Sequence, residues 1–437
     1  MLLSTILLLA SCGSTPTTGN SGTGGGTGTG GETIGGSNSG VNLTVSRTVT
    51  FGLPEAPSAE ITLPLTLASN VTASVESTPA GLTVTAGKPT QLSSGDTSLP
   101  IMVTGIAQPG EVVRVKVSVG GNSTVAELPV MNFTSTPIQA TGLNAAYPAS
   151  SIQFQPDGTA LMTAGMNGER AARHGLVRVD TAGNHFTLLP LDNISASGDA
   201  ISSQATAPDG TVWVTVRGTT AEGSYLLSRD TAGNTHKYVV NAQKDTLNSA
   251  TIAAGRVWFT QYVNAALKAL TPTTGQAQAY PTTDKASSLV RGADGNLYYV
   301  VSSSIMQLNP TTGTTRAFNV GEAGRSLPIA LTPAPDGSLW FIESVKGTVE
   351  QLTPSTSKET TLTLPLNTNP NALAMSPDGQ LWISDATNAR LYTTYRNSNG
   401  QQTLVGIATP SSGAQALNIH PSGKAWYEAG GKLYVQQ

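Results

Sequence analysis

Polar and charged side chains recur just after the aromatic residue of a repeated motif and in the loops beside it. The candidates for chemistry are Arg217, Gln261, Arg325, Glu343, Asp385 and Glu428. Carboxylates can transfer protons or hold a hard cation through their oxygens, and arginines bind anionic groups. Because only 11% of the chain is charged, the recurrence of these residue types predicts a shared ligand-binding site.

The repeated motif is clearest at 377–382, where Asp378-Gly379 separates two short apolar runs. This pattern predicts a tight hairpin, since glycine readily takes the positive φ that the turn needs. Seven glycines mark the copies, at positions 158, 210, 255, 295, 337, 379 and 423. Their spacing of 40 to 52 residues suits four-stranded blades, so the sequence predicts a seven-bladed β-propeller over residues 135–437.

This architecture explains how the candidate residues could meet. In each blade the inner strand a precedes the turn, and strand b follows it with the aromatic residue, which we expect to pack against a neighbouring blade. The two strands are antiparallel, so the start of strand a and the end of strand b lie at the same end of the blade. Seven such ends surround one mouth of the central channel, the rim, where we expect the candidates to bind a peptide, a glycan or another small ligand.

The last repeat is one strand short, because the chain ends shortly after strand c at 432–435. Without a fourth strand, that sheet would keep an exposed edge. We therefore predict that the segment near Pro137, ahead of the first blade, supplies the missing outer strand and closes the ring.

Several of these strands carry motifs that point to a known family. They are Trp258-Phe259-Thr260-Gln261, Trp340-Phe341-Ile342-Glu343 and two Leu-Thr-Pro runs at 270–272 and 352–354. From Tyr147 to the end, the repeats resemble the virginiamycin B (streptogramin) lyases. The resemblance implies a seven-bladed propeller that opens a macrocyclic lactone by elimination. It also implies magnesium, a histidine at the start of strand a within Pro-His-x-Ile, and glutamates at the end of strand b.

By this resemblance, Glu343 and Asp385 match the glutamate position, whereas Gln261 lacks the carboxylate. The histidine position is different, because the seven strand-a starts hold Ser150, Ser202, Leu247, Ser287, Ile329, Asn371 and Gln415. Removing a proton beside a carbonyl needs a base of suitable pKa, which these side chains do not supply. We expect His420 to be a surface or packing residue at the far end of strand a, and His174 could reach the rim only from its loop.

Two functional hypotheses therefore stand. In the first, the chain is a non-catalytic binding or scaffold propeller, with no cofactor, whose rim grips a ligand. In the second, it is a lyase-type enzyme with a rearranged site, in which Glu343 and Asp385 surround a divalent ion such as magnesium. The missing histidine favours the first hypothesis, and a propeller fold by itself does not imply chemistry.

The N-terminus has the features of a processing signal. A short apolar run ends in Leu9-Ala10-Ser11-Cys12, which resembles a bacterial lipobox. The resemblance implies that residues 1–11 are a signal peptide and that Cys12 becomes lipidated. The protein would then be extracytoplasmic and anchored to the cell membrane or outer membrane. Residues 12–40 are almost wholly glycine, serine and threonine and should form a disordered linker.

Residues 41–134 alternate apolar and polar types in short runs between glycine and proline turns, which predicts a small Ig-like β-sandwich. Its role would be that of a spacer or, as the alternative, an adhesion module. A net charge of −3 without a lysine or arginine run argues against a nucleic-acid partner. We expect a monomer.

Overall fold

The computed structural model describes most of the repeated region and parts of the N-terminal region. The described residues are 4–7, 10–11, 33–34, 43–44, 46–48, 58–63, 71–78, 80, 82–91, 97–105, 112–119, 122–133, 135–138, 151–155, 157–164, 175–180, 185–189, 191, 199–219, 223–240, 246–321, 326–362, 364, 368–385, 387–396, 402–409, 414–430 and 432–436. Three predicted features, Cys12, His174 and Arg325, lie outside them, as does nearly all of the 12–40 linker. Over the described residues, no helix reaches the length and apolarity of a membrane span.

The repeated region forms seven four-stranded sheets, which confirms the predicted propeller. Strands a to d are Ser151–Phe154, Ala160–Ala164, Gly175–Asp180 and His185–Leu189 in blade one; Ala200–Thr206, Val212–Arg217, Tyr225–Arg229 and Thr235–Val239 in blade two; Leu247–Ala253, Arg256–Gln261, Ala266–Thr271 and Gln276–Pro281 in blade three; Ala286–Arg291, Leu297–Val301, Ser304–Leu308 and Thr315–Asn319 in blade four; Pro328–Pro333, Leu339–Glu343, Thr348–Thr353 and Lys358–Leu362 in blade five; Pro370–Met375, Leu381–Asp385, Arg390–Arg396 and Gln402–Ala408 in blade six. Blade seven combines Gln415–Ile419, Ala425–Ala429 and Lys432–Gln436 with Ser135–Pro137.

The ring closes as predicted. Ser135–Pro137 pairs antiparallel with the last strand, with Pro137 opposite Tyr434. The N–H of Ile138 adds a hydrogen bond of 2.9 Å to the carbonyl of Leu433. The closing strand thus ends at Pro137, slightly earlier than the predicted segment, and it covers the sheet edge that would otherwise be bare.

The turn between strands a and b has the same hydrogen bond in six blades, and in blade three it is shortened to Ala254 and Gly255. Each of the seven motif glycines has a positive φ, between 67° and 85°. This is the left-handed region that glycine adopts without a steric penalty. The prediction from the Asp-Gly pattern is therefore confirmed.

The aromatic residue of strand b packs between blades, as expected. Trp258 in blade three is fully buried in a cluster with Leu289, Leu297 and Tyr299 of blade four. At the closing seam, Trp426 of blade seven meets Phe154 of blade one edge to face, with ring centroids 5.4 Å apart. Such large apolar contacts between consecutive blades form the core of the propeller.

Strand a also contains an irregularity that no glycine marks. In blades three, four, five and seven its pairing register shifts, and a non-glycine residue there has a φ of 47° to 52°. These residues are Ser249, Ser288, Ala330 and Ala416. Bulges of this kind re-aim side chains and store backbone strain.

The N-terminal region forms two five-stranded sheets. One contains Ser4–Leu7, Ala10–Ser11, Thr72–Ser77, Val112–Val119 and Asn122–Phe133; the other contains Ser46–Thr48, Ser58–Leu63, Leu82–Ala86, Thr90–Gln91 and Thr97–Gly105; Thr33–Ile34 pairs separately with Leu43–Thr44. The predicted alternation is visible in Val113, Val115 and Val117, which are fully buried, with Arg114 exposed between them. The first two strands lie in the predicted signal peptide, so cleavage before Cys12 would leave three strands in their sheet.

Candidate functional site

Five of the six predicted rim residues lie at the same end of their blades. The last residues of strand b in blades two, three, five and six are Arg217, Gln261, Glu343 and Asp385, and each pairs with the first residue of its strand a. In blade seven, Glu428 pairs with the first residue of strand a but is followed by Ala429 in strand b. The antiparallel geometry predicted from the sequence is therefore correct for these five, and Arg325 lies outside the described residues.

The five residues do not share one face of their blades. Gln261 lies two residues after Phe259, which packs against blade two, and Glu343 lies two residues after Phe341, which packs against blade four. Because side chains alternate along a strand, both face the preceding blade, and Asp385 has the same spacing. By the same alternation, Arg217 shares the face of Trp213, which packs with blade three, and Glu428 shares the face of Trp426, which packs with blade one.

The Glu343 carboxylate binds the backbone of its own blade. It is fully buried. Its Oε1 accepts hydrogen bonds from the N–H groups of Leu327, at 2.8 Å, and Val345, at 3.4 Å, and its Oε2 accepts one from Lys346, at 2.6 Å. One side chain thus joins the turn between strands b and c to the segment that begins strand a.

Asp385 does the same in blade six. It too is fully buried. Its Oδ1 accepts from the N–H groups of Asn369, Thr387 and Asn388, at 3.3, 3.0 and 3.1 Å, and its Oδ2 accepts from the side-chain amide of Asn388 at 2.7 Å. Both acids therefore serve as acceptors for the N–H groups of their turns.

Gln261 occupies the same position in blade three but makes no such contacts. The turns after Gln261, Glu343 and Asp385 have equal length, and the fourth residue of each, Ala265, Gly347 or Ala389, has a positive φ. Gln261 is 1% exposed. Even so, neither its Oε1 nor its Nε2 has a hydrogen-bond partner among the described residues.

A further buried acid at the rim was not predicted. Asp199, just before strand a of blade two, accepts from the N–H and hydroxyl of Thr219 at 2.7 and 3.0 Å and from the hydroxyl of Tyr225 at 2.8 Å. It holds the connection after strand b, as Glu343 does in blade five. Asp199 lies before strand a, whereas the repeated motif singles out residues at the end of strand b. The repeat pattern therefore did not identify it.

The exposed side chains at the rim include large apolar residues and cations, together with the carboxylate of Asp284. Five large hydrophobic residues are strongly exposed in the described part of the chain, and four lie at this end: Tyr262, Val263, Leu327 and Val345, with exposed fractions of 42% to 66%. We call these four residues the rim patch. They belong to blades three and five, on either side of blade four, whose own turn consists only of Ser302 and Ser303.

Three exposed cations lie at this end, Lys285, Arg217 and Lys346, and the exposed Asp284 lies beside Lys285. The ammonium of Lys285 lies 4.4 Å from the centroid of the Tyr262 ring and 3.4 Å from its hydroxyl. Arg217, at the end of strand b in blade two, is exposed. Glu428 is buried, and its charge adds to burial in raising the pKa of Tyr434. Repeat patterns did not identify the rim patch, because single apolar residues in turns have no periodic signal.

The described histidines lie away from the rim. His185 and His236 belong to the outer strands of blades one and two. His420 lies at the opposite end of strand a, where its Nε2 is 3.1 Å from the carbonyl of Gly158 and its ring packs against Phe154 and Trp426. The prediction that His420 is a packing residue is confirmed.

The side chains that begin strand a connect strands and blades. Ser202 bonds to the carbonyl of Leu247 in blade three. Asn371 accepts a hydrogen bond of 2.6 Å from Ser384 and donates one of 3.3 Å to the carbonyl of Ala414 before blade seven. These contacts are structural and supply no base.

The rim acids do not fit a magnesium ion. A hard cation needs about six oxygen ligands whose lone pairs are available. The oxygens of Glu343 and Asp385 instead accept hydrogen bonds from backbone and amide N–H groups. Within the described ranges, no three His, Cys, Asp or Glu side chains come together as a metal site would require.

Seven four-stranded blades, closed by a strand from ahead of the first blade, define a seven-bladed β-propeller. The chain belongs to the virginiamycin B lyase family, whose model matches residues 184–433. No curated protein matches it in sequence.

Solved structures show the same fold. A streptogramin B lyase structure covers 70% of this chain and 97% of its own, with a TM-score of 0.58 and 17% identity. A catalytically inactive histidine-to-alanine variant of virginiamycin B lyase from Staphylococcus aureus, solved with quinupristin, covers 70% and 99%, with a TM-score of 0.56 and 17% identity. YCF48 bound to D1 peptide covers 70% and 94%, with a TM-score of 0.52 and 14% identity. At such identities these likenesses concern the fold alone.

Proposed function

We propose that this chain is a non-catalytic member of its family, a binding propeller whose rim holds a ligand outside the cell. The observation that carries the proposal is the use of the rim carboxylates. Glu343 and Asp385, the two residues that match the family's glutamate position, are buried and accept hydrogen bonds from their own turns. Oxygens engaged in this way are poorly placed to take a proton from a ligand or to bind a cation.

The start of strand a supports the same conclusion. Elimination requires a base within hydrogen-bond reach of the proton that it removes. Ser202 and Asn371 bind neighbouring strands and blades, and the three described histidines lie on outer strands or at the opposite end. The family's fold is thus retained without its implied chemistry.

The rim patch suggests the chemical character of the ligand. Its four exposed apolar side chains would lose contact with water on binding, which favours association. Lys285 and Arg217 add positive charge on the same end. A peptide with apolar side chains and a carboxylate fits this combination better than an uncharged glycan. The peptide-bound state of YCF48 is a precedent for peptide binding by a chain of similar fold.

Catalysis can be tested with quinupristin, the ligand of one of the related structures. The purified protein is incubated with quinupristin and Mg²⁺, and the products are separated by reversed-phase chromatography. Separation is needed because ring-opening elimination changes the structure of the lactone but not its mass. We expect no product above the buffer control, with the Staphylococcus aureus enzyme as positive control. Ring opening that disappears in a Glu343→Gln/Asp385→Asn variant would contradict the proposal and support the lyase hypothesis.

Binding can be tested by panning a random peptide library against the intact protein. Enriched peptides should bind wild type and lose affinity by tenfold or more in a Tyr262→Ser/Val345→Ser double variant. Val239→Ser is the matched control, because Val239 is 54% exposed but lies on the outer strand of blade two. Peptides that bind all three proteins equally would show that the rim patch is not the binding surface.

The same proposal includes membrane attachment through a lipid on Cys12, with residues 12–40 as a tether and residues 41–134 as an Ig-like spacer. It rests on the lipobox-like sequence Leu9-Ala10-Ser11-Cys12. Wild type should fractionate with membranes and Cys12→Ala should not. An unmodified N-terminus on a protein found only in the aqueous fraction would overturn this part of the proposal.

A further inference from the structure

A second concave surface lies at the opposite end of the propeller, which we call the turn end because the turns between strands a and b lie there. It is an open depression of about 400 Å³ formed by three consecutive blades. Equivalent segments contribute to it, namely residues 291–293 of blade four, 333–335 of blade five and 375–377 of blade six. A volume of this size can hold a small organic ligand.

The depression has rigid walls with several apolar side chains. Pro333, Pro335 and Pro377 line it together with Met375. Proline fixes its own φ, so these walls lose little conformational freedom when a ligand binds. The hydroxyl of Ser376, which also lines it, binds Asp378 and accepts the N–H of Gln380 at 2.8 Å. Apart from Arg291, the lining side chains therefore offer apolar contact.

Arg291 is the exception. It is exposed, and its guanidinium has no hydrogen-bond or ion-pair partner among the described residues. In the six blades with a full Asp-Gly or Ser-Gly turn, the residue four places before the glycine is Phe154, Thr206, Arg291, Pro333, Met375 or Ile419. Arg291 is the single charged residue in this set. Guanidinium groups bind carboxylates through two parallel hydrogen bonds.

The acids of the three neighbouring turns leave Arg291 unpaired, because they bind their own turns. Asp294 accepts from the N–H of Asn296 at 3.0 Å and from the hydroxyl of Tyr298 at 2.8 Å, and Asp336 accepts from Ser338. Although burial opposes it, these hydrogen bonds lower the pKa of Asp294, so its charge persists at neutral pH. Nearby negative charge disfavours a dianion such as a phosphate monoester more than a monoanion.

We propose that the turn end holds a second binding site, specific for an apolar ligand with one carboxylate, in which Arg291 binds the carboxylate and the proline and methionine walls enclose the apolar part. Two sources share this chemistry, a free organic acid and the C-terminal carboxylate of a peptide with an apolar last residue. The site is separate from the rim and does not depend on the function proposed for it.

The test uses the full chain and titration by ligand-observed NMR. The probes are 4-phenylbutyrate for a free acid and N-acetyl-Leu-Phe for a peptide C-terminus, with 4-phenylbutanamide and phenyl phosphate as controls for charge. We expect one or both carboxylates to bind, and both controls to bind at least tenfold more weakly. Whichever carboxylate binds more tightly identifies the source.

Three variants assign the site. Arg291→Gln should weaken carboxylate binding by tenfold or more, and Met375→Ser should weaken it by several-fold. Arg178→Gln is the matched control, because Arg178 is an exposed arginine on blade one with only a surface ion pair to Asp157. The rim variant Tyr262→Ser/Val345→Ser should bind as wild type does. Absence of binding by wild type, equal binding of the amide, or unchanged affinity in Arg291→Gln would each overturn the proposal.

Discussion

The two ends of the propeller use their carboxylates alike and differ in the side chains that they expose. At the rim, Glu343 and Asp385 are buried and hold turns, and the exposed side chains include four large apolar residues and several cations. At the turn end, the aspartates of the Asp-Gly turns are also bound to their own turns, and Arg291 alone among the residues lining the depression keeps a charge without a partner. The comparison teaches that a carboxylate at the start of a turn accepts hydrogen bonds from the N–H groups of that turn and is then unavailable to a ligand.

The rim contains a comparison of its own. Glu343, Asp385 and Gln261 start turns of equal length with a positive φ at the fourth residue. The two acids accept several N–H groups each, whereas both polar atoms of Gln261 are buried and have no partner in the described part of the chain. One structural position thus carries strongly bound side chains in blades five and six and an unbound one in blade three.

The largest expected change in stability is at Glu343, whose carboxylate holds its turn. Glu343→Met keeps the side-chain length but leaves the N–H groups of Leu327, Val345 and Lys346 without their acceptor. Since a hydrogen bond to a charged group contributes about 1.5–3 kcal/mol, we expect the free energy of unfolding to fall by about 3 kcal/mol or more. Urea unfolding followed by tryptophan fluorescence measures it, because all five tryptophans lie in the blades.

Glu343→Gln is the control, because it retains one acceptor oxygen and should lose less stability than Glu343→Met. A Glu343→Met protein as stable as wild type that no longer binds peptides would reverse the interpretation. Glu343 would then be a ligand contact, and the two ends would not use their carboxylates alike.

A second buried acid in blade five, Glu350, shows what happens to a carboxylate that lacks several N–H donors. Glu350 is 3% exposed, and its Oε1 accepts one hydrogen bond, of 2.9 Å, from Thr348. Burial, together with the neighbouring Glu359 carboxylate and against the weaker influence of Lys346, raises the pKa of Glu350 to about 7. Glu359 itself accepts the N–H of Gly321 through both oxygens at 3.2 Å.

This raised pKa makes stability depend on pH with a definite sign. Between its ordinary pKa of 4.5 and about 7, Glu350 binds a proton in the folded chain and not in the unfolded one. The free energy of unfolding therefore falls as pH rises through this range. Urea unfolding at pH 5 and pH 8 measures this effect. Between these two pH values, the free energy of unfolding should fall by about 2 kcal/mol more in wild type than in Glu350→Gln. Equal losses in the two proteins would show that the pKa of Glu350 is not raised in the folded chain.

At Gln261 the expected effect is smaller and of opposite sign to that at Glu343. Gln261→Met removes two buried polar atoms that lack partners and keeps a similar volume. We expect stabilisation by about 1 kcal/mol, measured by the same urea unfolding. Destabilisation by as much as Glu343→Met would mean that Gln261 holds its turn as the acids do, which would remove the distinction between the blades.

The sequence predicted the features that depend on local patterns. The seven turns, the aromatic residues between blades and the closing strand were predicted because Asp-Gly pairs, spacing and a missing strand are all visible in the chain. The roles of Glu343 and Asp385 were not predictable, since they depend on which backbone N–H groups the folded turns aim at them. The positive φ of Ser249 and its equivalents was equally hidden, because no glycine marks it.

The smallest expected effect concerns Arg291. It tests whether the Arg291 guanidinium makes contacts that stabilise the folded protein. Its guanidinium makes no hydrogen bond or ion pair within the described residues, so Arg291→Gln should change the free energy of unfolding by less than about 0.5 kcal/mol. Arg256 is the matched comparison. It binds Gln278, the hydroxyl of Tyr280 and, at 2.8 Å, the carbonyl of Pro310 in blade four, and it lies 5.1 Å from the Trp258 ring.

Because these contacts join blades three and four, Arg256→Gln should cost about 1–2 kcal/mol. The two variants remove the same charge from neighbouring blades, so the difference between them isolates what the contacts contribute. A loss at Arg291 as large as that at Arg256 would show that the guanidinium is held by the protein itself. The turn end would then resemble the rim, with its charge already in use and no longer available to a carboxylate.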